Sequence, residues 1–108
     1  MTVNVLGTKY RILYKSPKED SAFNECDGYC DKTSKTIVVS TKNGDLDNFE
    51  SYQKKVLCHE IIHTFMFESG LAENWEHKSY GQEETTVDWI AIQFPKILKA
   101  FQKTGALE

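Results

Sequence analysis

Apolar side chains recur at every second position over Val3-Asn4-Val5 and again within Tyr10-Arg11-Ile12-Leu13-Tyr14, the period of a half-buried strand. Gly7 interrupts this run and Pro17 closes it. Residues 16–24 are polar and predict a loop or a single helical turn. Gly28-Tyr29-Cys30, the polar stretch Asp31-Lys32-Thr33-Ser34-Lys35 and the β-branched run Thr36-Ile37-Val38-Val39-Ser40 predict a hairpin, and its second strand is the strongest strand signal in the chain. After a turn at Lys42-Asn43-Gly44-Asp45 the period lengthens to that of a helix, with Phe49, Tyr52, Val56, Ile62, Phe65 and Met66 set among polar residues. Asp47-Asn48-Phe49-Glu50 has the form of a capping box and Gly70 that of a C′ stop, so the helix is expected from Asp47 to Ser69. A second helix is expected from Gly81 or Gln82, kinked or broken at Pro95. These elements predict an α+β domain, a small and mostly antiparallel sheet packed on one long helix and crossed by another.

One hundred and eight residues suffice for one core, so a single domain is expected over residues 1–106, with Leu107-Glu108 set apart as an expression-vector remnant. Thirteen basic and sixteen acidic residues give a net charge of −3, and the lysines form no stripe, which argues against nucleic acid as a partner. Residues 1–7 lack the charged and apolar segments of a secretory signal, and no window approaches a membrane span; a cytoplasmic location away from membranes is expected. Cys26, Cys30 and Cys58 are odd in number, which argues against a disulfide framework. Cys26 and Cys30 read as thiols in the hairpin, since no further cysteines complete a metal site, and Cys58 reads as a core residue of the long helix.

That helix carries His59-Glu60-Ile61-Ile62-His63, two of the three histidines in the chain. Residues four apart on a helix lie about 40° from each other around the axis and about 6 Å along it, so both imidazoles can face one ion. Glu60 sits about 100° further round, beside the ion, where a carboxylate can take a proton from water. Zinc is the default ion for this pattern, one per chain.

A catalytic zinc site is usually completed by a third protein ligand. A histidine ten residues after the first would be one source, but that position is Ser69. The remaining candidates are Glu73, Glu76, His77, Glu83, Glu84 and Asp88. Glu84 and Asp88 share a helical face, which suits Glu84 as ligand and Asp88 as acceptor of a ligating histidine's free ring N–H. Glu83 is the adjacent alternative, but its partner four residues on is Val87, which accepts nothing.

His59-Glu60-x-x-His63 followed by Glu84-x-x-x-Asp88-x-Ile90-Ala91 resembles the ImmA/IrrE family of small zincin-type metallopeptidases. Residues 52–95 carry the likeness, with Ile62, Val87 and an early Pro95 as departures from the family pattern. The resemblance implies a minimal zincin-like domain with His59, His63 and Glu84 as ligands, Glu60 as general base and Asp88 behind the ligand shell. It also implies a phage or mobile-element protein that cuts a cytoplasmic protein, such as a transcriptional repressor. In such folds a substrate strand commonly adds to the sheet edge above the metal, and residues 36–40 are the candidate for that edge, the alternative being a purely structural strand. His77 or Tyr80, in the loop joining the helices, would donate to the oxyanion formed during hydrolysis. The expected activity is zinc-dependent endopeptidase; the alternative is a non-catalytic zincin-fold module that binds metal or another protein.

Overall fold

The computed structural model describes residues 1–42, 44–73 and 83–104. Four strands, β1 (Thr2–Val5), β2 (Thr8–Lys15), β3 (Gly28–Asp31) and β4 (Thr36–Ser40), form one sheet in the order β1-β2-β4-β3. β1 and β2 are antiparallel and joined by Leu6-Gly7, both with positive φ (51° and 94°), which is the backbone a tight two-residue hairpin requires. Gly7 adopts it freely; Leu6 does so as an exposed bulky residue, against its usual preference. β3 and β4 are also antiparallel, with the Asp31 carboxylate accepting from the N–H groups of Thr33 and Ser34 in the turn. The central pairing, β2 with β4, is parallel. The sheet is therefore mixed, because β2 reaches β4 by a crossover through a 3-10 turn (Ser21–Asn24) and β3.

Of the two readings of β4, substrate-binding edge or structural strand, the sheet order supports the second, since β4 lies inside the sheet. It pairs on both sides and all five of its residues are buried. Its β-branched composition fits a strand covered on both faces better than a solvated rim. The edges are β1 and β3.

α1 (Phe49–Glu68) packs Val56, Leu57 and Ile61 onto a core of Val5, Tyr10, Ile12, Ile37 and Val39. Its cap is Asn48, one residue later than the sequence pattern suggests, and the Asn48 side chain accepts from the Ser51 N–H at 3.1 Å. At the other end Gly70, with φ +84°, lets its N–H turn back to the Phe67 carbonyl. Towards α2 (Glu84–Thr104), the α1 residues Ile62, Phe65 and Met66 line a groove of about 580 Å³ with Ile90 and Phe94. α2 continues through Pro95 to Thr104 and is not broken there. The cost is local, since proline removes one N–H from the helical ladder while Val87 and Ala91, both buried, hold the preceding turns. No described helix is long and apolar enough to cross a membrane.

Glu68 ties the end of α1 to the sheet. Its carboxylate accepts from Tyr10 Oη at 2.6 Å, Lys35 Nζ at 2.9 Å and Thr8 Oγ1 at 3.0 Å. The Tyr10 hydrogen bond, then that of Lys35, pulls the Glu68 pKa from 4.5 down to about 2. A depressed carboxylate pKa stabilises the fold above the ordinary value and ceases to do so as pH falls through the folded value. The melting temperature of Glu68→Gln is therefore expected to lie below that of the native chain at pH 6–7, with the gap closing between about pH 4.5 and 2. A gap independent of pH in thermal melts would rule out this ionic contribution.

Candidate metal centre

The helical spacing of His59 and His63 brings their rings edge to face, with Nε2 atoms 3.2 Å apart. Glu84, the first residue of α2, reaches across to both. Its Oε2 lies 2.9 Å from His59 Nε2 and its Oε1 3.1 Å from His63 Nε2. Among the described residues this is the group of three able to hold a metal ion, with all ligand atoms within 4.8 Å of one another. Zinc bonds of about 2.0–2.1 Å in tetrahedral geometry place ligand atoms roughly 3.3 Å apart, close to these separations. Two imidazole nitrogens and a carboxylate also form a donor set that suits a divalent transition ion better than calcium or magnesium. The residues present therefore fit a metal ion.

One turn beyond Glu84, the Asp88 Oδ1 lies 3.5 Å from His59 Nδ1, on the opposite side of the ring from Glu84. Glu83 is exposed and its backbone carbonyl accepts the Val87 N–H at the start of α2. Val87, four residues after Glu83, is wholly buried, so the two faces of this first turn divide into one acidic and one apolar. His77 and Tyr80, and Glu76 with them, lie outside the described residues.

Glu60 is 7 % exposed, although it carries a carboxylate. Burial raises its pKa from 4.5 to about 7; the Glu84 carboxylate adds to that, while His63 and a hydrogen bond from Cys30 oppose it. The group is thus poised to exchange a proton near neutral pH. It faces an open cleft of about 300 Å³ walled by Asp27 and Gly28 on the sheet side, Tyr52, Lys55, Val56 and His59 from α1, and Glu84 and Asp88 from α2. The Tyr52 hydroxyl donates to the Asp27 carboxylate across the mouth, which pushes the phenol up to about 12.

No family model, curated protein or solved structure matches this chain. The chemistry of the site therefore rests on its own geometry.

The cysteines do not form a second site. All three are free: Cys26 donates to the Ala22 carbonyl, and Cys58, expected in the core, is exposed on the side of α1 facing the apolar groove. The reason is rotational: residue 58 precedes His59 by about 100° on the helix, which carries it away from the sheet. Cys30 is the cysteine that reaches the site. Burial, then the charges of Glu60, Asp31 and Glu84, pushes its thiol up to about 12, so it is an S–H group at neutral pH. Neither Cys30 nor Gly28 stands out in the sequence as a site residue, since their proximity to Glu60 depends on how the sheet packs against α1. The signal that was present is their alternation on one strand, which puts both on the same face.

Proposed function

We propose that this protein is a zinc-dependent endopeptidase with a minimal zincin-like domain of the ImmA/IrrE type. The observation that carries the reading is the convergence of His59, His63 and Glu84 next to a buried carboxylate whose pKa is raised to about 7, with His59, Glu60 and Glu84 lining an open cleft. Zinc at this triad would polarise a scissile carbonyl and acidify water. Glu60 accepts a proton from the attacking water as its oxygen bonds to the carbonyl carbon, then returns that proton to the amine nitrogen as the C–N bond breaks. Asp88 holds the proton of His59 on Nδ1, leaving the Nε2 lone pair for the ion. β3, whose Gly28 lines the cleft, has an edge with no strand partner among the described residues, which offers backbone N–H and C=O groups to an extended peptide. It takes the part for which residues 36–40 were the candidate.

The substrate fitting this reading is a cytoplasmic protein, a transcriptional repressor of phage or mobile-element context by the sequence resemblance. His77 or Tyr80 would supply the oxyanion donor. Incubating zinc-loaded protein with a fluorogenic peptide library tests the proposal. Cleavage that a chelator abolishes and added zinc restores is expected. Stoichiometric zinc without cleavage of any peptide would favour the alternative, a non-catalytic metal-binding or protein-interaction module.

The order of effects along α2 is a further expectation. Glu84→Ala should cost bound metal, Asp88→Ala should weaken affinity or activity by about 10- to 100-fold, and Glu83→Ala should do little. Isothermal titration with zinc measures all three. Loss of binding in Glu83→Ala with retention in Glu84→Ala would reverse the assignment.

A further inference from the structure

A second hollow, of about 400 Å³, adjoins the metal cleft, and Asp27 and Tyr52 line both. Its apolar wall is formed by buried Phe23, half-buried Phe49 and half-exposed Leu46. Glu25 and Lys42 are the other charged residues in its lining. The Asp27 carboxylate is fixed at the boundary, because the Tyr52 hydroxyl donates to it. Both ends of that contact are anchored: Tyr52 lies in α1, and the Asp27 backbone carbonyl accepts from the Ser40 N–H at 2.9 Å. Among the described residues Asp27 forms no ion pair, so its charge meets a neutral hydroxyl and no cation. The lysines nearby, Lys42 of the hollow and Lys55 of the cleft, are exposed on long stems that a bound peptide displaces easily.

A lysine or arginine side chain matches this lining, with methylenes along the aromatic and aliphatic wall and a cationic head at the carboxylate. A glutamate in the same place would face Asp27 and Glu25. We propose that the hollow is a side-chain subsite for lysine or arginine in the substrate, with Asp27 as its specificity-determining residue and Tyr52 as the residue that positions it. The inference rests on the peptidase reading above and gives its substrate a class, a protein cut within or beside a basic extended segment. Because cleft and hollow share Asp27 and Tyr52, a peptide backbone in the first can place a side chain in the second. A carboxylate held in place before binding discriminates better than one that must be ordered by the ligand.

An array of immobilised short peptides, varied one position at a time, tests this with full-length, zinc-loaded Glu60→Gln, which is expected to hold peptides without cutting them. At one position lysine and arginine should be favoured over norleucine by about fivefold, the upper range for an exposed ion pair. Adding Asp27→Asn should abolish that preference at unchanged zinc content, and Asp27→Lys should turn it towards glutamate at the same position. Tyr52→Phe keeps the charge and removes its anchor, so the preference should shrink and keep its sign. Glu50→Gln makes the same change in net charge at a residue lining neither the cleft nor the hollow, and should leave the preference intact. Absence of a basic preference, a preference that Asp27→Asn leaves in place, or an equal loss in Glu50→Gln overturns the proposal. Cleavage of the same peptides by the native chain separates the two claims. Basic-selective binding without any cleavage ends the peptidase reading and supports the subsite, whereas cleavage indifferent to basic residues supports the peptidase and overturns the subsite.

Discussion

Replacing either His59 or His63 by alanine is expected to abolish stoichiometric binding of zinc. The two imidazoles come from consecutive turns of one helix, with their Nε2 atoms 3.2 Å apart, a separation close to that of two ligand atoms on one zinc ion. His63 is nearly buried and Glu84 is exposed, so the histidine pair is the fixed part of the site and the carboxylate its adjustable part. Removing one imidazole leaves one nitrogen and one exposed carboxylate to compete with water. The loss in affinity should exceed the roughly 10- to 100-fold typical of groups behind the ligand shell. Metal content after dialysis against a weak chelator reads this directly. One zinc per chain retained in either alanine variant would refute the assignment.

Glu60→Gln is expected to keep the metal and lose about a hundredfold or more in peptide cleavage. The substitution preserves size and leaves His59, His63 and Glu84 untouched, while removing the carboxylate proposed to take and return the proton. A second consequence follows from the raised pKa. An acid whose folded-state pKa rises from 4.5 to about 7 destabilises the fold as pH climbs through that interval, because the unfolded chain ionises while the folded one resists. Metal-free Glu60→Gln should consequently melt at higher temperature than the metal-free native chain at pH 8, with the difference vanishing towards pH 4.5. Gain of stability with loss of activity is the signature of a functional group kept at a structural cost. Unchanged turnover on a peptide that the native protein cleaves would remove Glu60 from the mechanism without disturbing the metal site.

The strands were legible in the sequence because their periodicity and turn residues are local; the hairpin of β3 and β4 follows from Gly28-Tyr29-Cys30, a polar turn and a β-branched run. Sheet order was not, since the parallel pairing of β2 with β4 depends on a crossover that no local pattern encodes. It also leaves the open edge at β3 rather than β4. The cap of α1 was displaced by one residue because Asp47 and Asn48 are both good caps, and only geometry chose the second. Pro95 signals a break, but the packing of Val87 and Ala91 carries α2 past it. α1 is only weakly amphipathic by sequence, because Glu60, His63 and Thr64 occupy inward positions that a purely structural helix would fill with apolar side chains. That conflict between pattern and burial falls at the site. The group His59, His63 and Glu84 was readable from helical spacing, whereas Gly28 and Cys30 became visible only through the packing of β3 on α1.

Crystallographic diffraction recorded on both sides of the zinc absorption edge, from zinc-loaded protein, tests the central claim most directly. An anomalous peak about 2.0–2.2 Å from His59 Nε2, His63 Nε2 and a Glu84 carboxylate oxygen is expected. A peak bound elsewhere on the chain, or none at this triad in protein that carries one zinc per chain, would contradict it.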